Sequence, residues 1–207
     1  YMAYIFRTFR KPLVGKHQEV LKGTIELRKL MGFSGHGAIT TAFTNPTGYI
    51  THFRRFETLN EISEWLNFTK LDKKVLDKVY ELNSICEIYA NKVFKVIKPM
   101  SGVSGNISDY LKDCQIQDQW IIHCKVGERQ KVIDACIDQS ENFTGIKPNV
   151  STTLSSPMIG NVFVTRVLKS FNEIEDEGND KTVPDFIKKV KDSVTGFDRH
   201  QTLLHHD

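Results

Sequence analysis

The stretch Val14-Gly15-Lys16-His17-Gln18-Glu19-Val20 returns as Val126-Gly127-Glu128-Arg129-Gln130-Lys131-Val132. Gly15 thus meets Gly127, an offset of 127 − 15 = 112 residues. No gap is needed to extend the match. Ile25 meets Ile137, Thr40-Thr41 meets Thr152-Thr153, and Gly48 meets Gly160. Arg54 meets Arg166, and Asn60-Glu61-Ile62 meets Asn172-Glu173-Ile174. These matches fall at a helix start, a turn and a capping box, where local chemistry constrains sequence most. Similarity at one fixed period marks a repeated structural unit. The chain is therefore read as a tandem duplication.

Working outward from that stretch, residues 3–10 are aromatic and β-branched and predict a strand. Val20, Leu21, Ile25, Leu27, Leu30 and Met31 recur at helical spacing, with Gly32 at the expected stop. A strand over 38–43, the turn Asn45-Pro46-Thr47-Gly48 and a strand over 49–56 predict a hairpin. Thr58 and Glu61 form a capping box ahead of helical sequence, with a break near Phe68–Thr69, that runs to about Ser84. A strand over 85–97 completes the order βαββαβ. After the Pro99–Gly105 linker the order restarts, with strands over 119–126, 150–154, 162–168 and 197–204. Helices are expected over 128–143 and 182–194, and a second capping box at Ser170 and Glu173. The expected organisation is a first repeat over 1–98, a linker over 99–117 and a second repeat over 118–207.

A βαββαβ unit covers one face of its sheet with helices and leaves the other half-buried. The expectation is an α+β protein of two ferredoxin-like βαββαβ repeats, their antiparallel sheets packed face to face as an intrachain α+β barrel.

The bulk numbers fit that reading. The chain has 207 residues, 40% hydrophobic and 26% charged, with a net charge of +3. So weak a positive balance argues against nucleic acid as a partner, and no apolar run reaches membrane-spanning length. Cys86, Cys114, Cys124 and Cys136 form no C-x-x-C pair, and residues 1–10 lack the apolar core of a signal peptide. A cytoplasmic location is expected. Asn67, Asn106, Asn142 and Asn149 each open an N-x-[S/T] triplet, a signal in the other direction.

Tyr4-Ile5-Phe6-Arg7-Thr8-Phe9 with Gly15, and Gly48 followed by His52-Phe53-Arg54-Arg55-Phe56-Glu57-Thr58-Leu59-Asn60-Glu61, carry a resemblance. The chain resembles the dimeric α+β barrel superfamily, and within it NIPSNAP-type proteins. Phe53 stands where that pattern has Trp, and the second copy keeps only Gly160, Arg166 and the helix start. Relatives in the superfamily include cofactor-free monooxygenases, haem-binding enzymes and proteins without known chemistry. The resemblance therefore implies a fold more than an activity.

Several residues could carry chemistry. Ile50, His52, Arg54 and Phe56 share one strand face, and Arg166 shares a face with Val162, Val164 and Leu168. A cation among apolar neighbours must be paired or face a ligand, so Arg54, Arg166 and Arg7 are candidate anion contacts inside the barrel. His52 and His123 are candidate general bases, since neutral imidazole offers a lone pair near pH 7. Tyr49 and Trp120, with Phe9 and Phe43, could line a cavity. The plain alternatives are core packing for the aromatics, carboxylate pairing for the arginines and a wall role for the histidines. No dinucleotide, P-loop, nucleophile-elbow or metalloprotease motif occurs. His200, His205, His206 and Asp207 fall short of a convincing metal set.

The expected function is binding of a small organic ligand in the barrel, with oxygenase-like chemistry through His52, Arg54 and His123. No cofactor is expected, haem being the alternative within the same barrel. A non-enzymatic interaction module is the competing class, and further assembly into a homo-oligomer is compatible with either.

Overall fold

Gly15 ends the turn after β1 (Ala3–Pro12) with a φ of 80°, and Gly127 does the same after β5 (Ile116–Cys124) with a φ of 85°. Only glycine adopts that left-handed conformation without cost, which explains a glycine at both turns. In the computed structural model residues 3–32, 39–42, 48–103, 107–143, 146–155, 160–173 and 182–205 are described. The first half continues with α1 (His17–Leu30), β2 (Ile39–Ala42), β3 (Ile50–Phe56), α2 (Leu59–Leu71), α3 (Lys73–Ser84) and β4 (Cys86–Lys98). A short α4 (Ile107–Lys112) lies in the expected linker. After β5 come α5 (Arg129–Glu141), β6 (Asn149–Ser155), β7 (Asn161–Leu168), α6 (Thr182–Val190) and β8 (Val194–His205).

Local chemistry sets the boundaries. The Thr58 side chain accepts from the Glu61 backbone N–H at 3.2 Å, and the Glu61 carboxylate accepts from the Glu57 N–H at 2.9 Å. Glu173 accepts from the Lys169 N–H at 2.7 Å in the same way. The break in the long helical stretch falls at Asp72, a few residues beyond the position expected. Its carboxylate accepts from the N–H groups of Lys74 and Val75 at 2.8 and 3.2 Å, which starts α3 afresh. The turns at 43–47 and 156–159 lie outside the described residues.

The strands form one antiparallel sheet of eight, in the order β2-β8-β5-β7-β6-β4-β1-β3. The sheet curls, bringing its edge strands β2 and β3 towards each other. This corrects two expectations. The halves are not two separate sheets stacked face to face, because the ladders β4–β6 and β2–β8 join them edge to edge. Among the described residues β2 takes its ladder partner from β8 and not from β3. Edge-to-edge joining satisfies backbone N–H and C=O groups that two stacked sheets would leave open.

The register repeats across the halves. Tyr4 lies opposite Phe56 and Arg7 opposite Phe53; Ile116 lies opposite Leu168 and Gln119 opposite Thr165. A bulge between Lys11 and Pro12 against β4 has its counterpart between His123 and Cys124 against β8. Arg7 even touches its own counterpart: its Nη1 donates to Gln119 Oε1 at 3.3 Å across a separation of 112 residues.

Alternation divides each strand between two environments. Ile5, Phe9, Phe94, Ile121 and Phe163 meet inside the curl. The other face packs under helices. In the first half Phe6, Phe56 and Ile62 cluster with Trp65, and Leu27, Met31, Val75 and Leu82 form the adjoining layer. In the second half Ile122, Val132, Ile133, Cys136, Val150 and Val162 form the main core with others. No helix among the described residues is long and apolar enough to cross a membrane.

Candidate functional site

Asp118 stands near the start of β5, 1% exposed. A carboxylate so buried demands compensation, and two arginines from flanking strands supply it. Arg166 on β7 donates through Nε and Nη2 to Oδ2, both at 3.1 Å. Arg199 on β8 donates through Nε to Oδ1 at 2.8 Å and through Nη2 to Oδ2 at 2.9 Å. This second contact is a two-pronged fork, the strong geometry for a guanidinium and a carboxylate. Strand register brings the three together: Asp118 lies opposite Arg166, and the neighbouring pair is Trp120 with Arg199. The trio carries one net positive charge.

Aromatic rings hold the two cations in place. The Arg199 guanidinium lies 5.1 Å from the Trp120 ring centre, and that of Arg166 lies 5.7 Å from the Phe143 ring centre. Such contacts favour a cation most when water is excluded. Trp120 in turn meets Phe197 edge-on at 6.4 Å.

A cavity of about 470 Å³ opens over this trio, between the second-half sheet and helices α5 and α6. Its sheet floor is Asp118, Trp120, Ile122, Val164, Arg166 and Arg199. Its roof comes from Cys136, Gln139 and Ser140 of α5 and from Val183, Pro184 and Phe186 of α6. Burial pushes the Cys136 thiol far up, with nearby Cys124 adding to the effect, so it stays protonated and inert as a nucleophile. An apolar chamber with a few convergent polar groups is the usual form of a small-molecule site.

The sequence-predicted residues separate into four places. Trp120 and Arg166 line this cavity. Arg7 and Tyr49 line a different one inside the curled sheet. His52 and Arg54 face the first-half helices, not the inside of the curl. His52 is 3% exposed, and burial, then Arg10 and Arg28, push its pKa well below the imidazole range. Arg54 lies over the rings of Phe56 and Trp65 at 5.1 and 5.7 Å, beside a shallow groove that includes Glu61. His123 sits at the end of β5 with Nε2 2.7 Å from Asp198 Oδ2, partly exposed. His52, Arg54 and His123 therefore do not converge. Sequence reasoning missed Asp118 and Arg199. The available signal was the alternation of Asp118 with Trp120 and Ile122 along one strand face.

No protein-family model and no curated protein matches the sequence. Solved structures do match the fold. A candidate monooxygenase from Fusobacterium nucleatum superposes with a TM-score of 0.72 at 12% identity, over 99% of this chain and 93% of its own. An anthrone oxidase-like protein superposes with a TM-score of 0.66 at 9% identity, over 99% and 92%. A chlorite dismutase variant from Candidatus Nitrospira defluvii, in complex with cyanide, gives 0.52 at 9% identity, over 99% and 91%. The chain has the α+β barrel fold of these proteins. At such identities the likeness speaks for fold alone.

The expectation of no cofactor is corrected here, because the chlorite dismutases sharing the fold are haem proteins. The described residues around the cavity under α5 and α6 do not match that group. The cavity's described lining contains no imidazole, and its one thiol is protonated, whereas a haem iron needs an axial ligand such as His or thiolate. Among the described residues no cluster of three or more His, Cys, Asp or Glu side chains could hold a metal ion.

Proposed function

We propose that the cavity under α5 and α6 takes up a small aromatic ligand bearing an acidic oxygen, a phenol or an enolisable ketone, and holds it as its oxyanion. One observation carries this reading: the trio of Arg166, Asp118 and Arg199, net positive, lies in the floor of a mainly apolar chamber. Fixed positive charge in a water-poor site favours the ionised form of such a ligand far more than bulk water does. Asp118 orients both guanidinium groups, and Trp120, Phe143 and Phe186 offer faces for a flat ring. Fold neighbours named as a monooxygenase and as anthrone oxidase-like support oxygenase-like chemistry on such an oxyanion.

The same reading takes the two halves as a tandem duplication of a ferredoxin-like unit, 1–98 and 118–207 about the 99–117 segment. The shared register and shared bulge support it. The NIPSNAP likeness belongs to this level of detail and rests on the residues quoted for it.

The test is titration with 1,8-dihydroxyanthrone, followed by quenching of Trp fluorescence and by oxygen uptake. The chain has two tryptophans, so Trp65→Phe isolates the Trp120 signal. Saturable quenching is expected, with binding weakened about tenfold or more in Arg199→Met. Absence of quenching, or quenching indifferent to Arg199→Met, would sink the reading and leave a structural or interaction module.

A further inference from the structure

The inside of the curled sheet holds a cation that folding does not require. Arg7 is 8% exposed on β1, pointing into the curl. Its Nε and Nη2 donate to Thr51 Oγ1 at 3.2 and 3.0 Å, and its Nη1 donates to Gln119 Oε1 at 3.3 Å. Both partners are neutral, and no carboxylate among the described residues pairs with it. Burial accordingly pulls its pKa down to about 10. Gln119, the counterpart of Arg7 in the second half, fills its place with a neutral amide bonded to Thr165 at 2.8 Å. The strand architecture is thus satisfied by an uncharged residue at that position, and the guanidinium needs another explanation.

The space beside Arg7 provides one. A cavity of about 280 Å³ is lined by Arg7 and Lys92 among the rings of Phe9, Tyr49, Phe94 and Phe163. Lys92 lies with its ammonium 4.8 Å from the Phe9 ring centre, and the Arg7 guanidinium lies 5.0 Å from the same ring. His200 lines the same cavity. Asp198, which acts on His200, is exposed and bound to His123. A guanidinium has five N–H donors. Three of Arg7's are used, which leaves one on Nη1 and one on Nη2, the spacing that a carboxylate matches with both oxygens.

We infer that the inside of the curled sheet is a second binding site, separate from the cavity under α5 and α6, and that it takes a small carboxylate with an apolar body. The carboxylate meets Arg7 and Lys92, and the body lies against Phe94 and Phe163. Two positive side chains set the sign of the ligand, the aromatic walls exclude a purely hydrated ion, and the volume limits the body to about one ring.

Benzoate and inorganic phosphate are the probes, titrated separately by calorimetry into the whole chain. Benzoate is expected to bind saturably to the unaltered protein and equally to Arg199→Met, whose change lies in the other cavity. Arg7→Gln, which installs the second half's own residue, is expected to weaken benzoate about tenfold or more. Lys92→Met, at a half-buried lining position, gives an independent reading should Arg7→Gln fold poorly. No benzoate binding, or binding untouched by both Arg7→Gln and Lys92→Met, overturns the inference. Loss in Arg199→Met instead places benzoate in the other cavity and overturns it too. Phosphate binding as tightly as benzoate overturns the assignment to a carboxylate with an apolar body.

Discussion

Among the described residues the first half packs aromatic rings between sheet and helices, and the second holds a cavity there. The two are built on the same strand register, so position can be compared with position. Phe6 stands where the second half has Asp118, Thr8 where it has Trp120, and His52 where it has Val164; Arg54 and Arg166 agree. In the first half Phe6 and Phe56 pack against Trp65, with ring centres 5.1 and 5.5 Å apart. α1 and α3 come so close that a side chain at Gly23 would strike Leu82. In the second half a charged trio replaces the aromatic anchor, and a cavity of about 470 Å³ stays open over it. Apolar rings draw helices down onto a sheet, whereas a buried carboxylate with two arginines needs fixed polar geometry and room around it. One exchange at the sheet centre thus goes with a change from packing to pocket.

The largest expected effect breaks this contrast at its root. Asp118→Ala leaves two arginines without their shared carboxylate, and unfolding in urea should show a loss of about 3–5 kcal/mol. A loss under about 1 kcal/mol would mean that the trio does not organise the second half.

The next effect sharpens the first half's side of the comparison through pH. His52 is held neutral by burial with Arg10 and Arg28 nearby, its folded pKa well below the ordinary 6.5. Below that ordinary value the unfolded chain takes up a proton that the folded chain refuses. Its stability contribution is therefore present at pH 7 and fades as pH falls, by up to about 1.4 kcal/mol per pH unit from this residue. Urea unfolding between pH 7.5 and 5 checks this, and His52→Val, the second half's residue, should flatten the slope. An unchanged slope would remove His52 as its source. His200 is also pushed down by burial, with Asp198 opposing and Arg7 assisting, and its shallower contribution should persist in the variant.

The smallest effect runs the comparison in reverse. Val164→Phe puts a ring into the hollow, so the second half should gain about 1 kcal/mol while losing anthrone binding. Loss of stability with binding intact would show that the floor near Val164 is already full.

Much of the architecture was legible in the sequence. The 112-residue offset is the register offset of β1–β3 against β5–β7, the Thr58–Glu61 capping box forms as announced, and Glu173 accepts from the N–H groups of Lys169 and Ser170. Strand parity was legible too, since Ile50, His52, Arg54 and Phe56 do share a face. Which side that face looks towards was not, because strands buried on both sides carry no outside to read. The ladder β4–β6 was equally hidden, being a contact between halves that no local pattern encodes. Asp118 escaped because the strand was expected to start at Gln119, while β5 opens at Ile116. Arg199 looked like one more basic residue near a chain end, and its value lies only in meeting Asp118 from three strands on in sequence order. Trp120 and Arg166 were found singly, as an aromatic and a cation in strands, without the carboxylate that relates them.

The ladders that stitch β4 to β6 and β2 to β8 have a consequence for inheritance. A fragment ending at Lys98 would present β4 as a bare edge, and a fragment beginning at Ile116 would present β6 and β8 the same way. Each half serves as the border of the other, so losing or exchanging one alone would leave strand edges of the other open. Within that compulsory partnership one member can remain a rigid strut. The other is then at liberty to become a vessel.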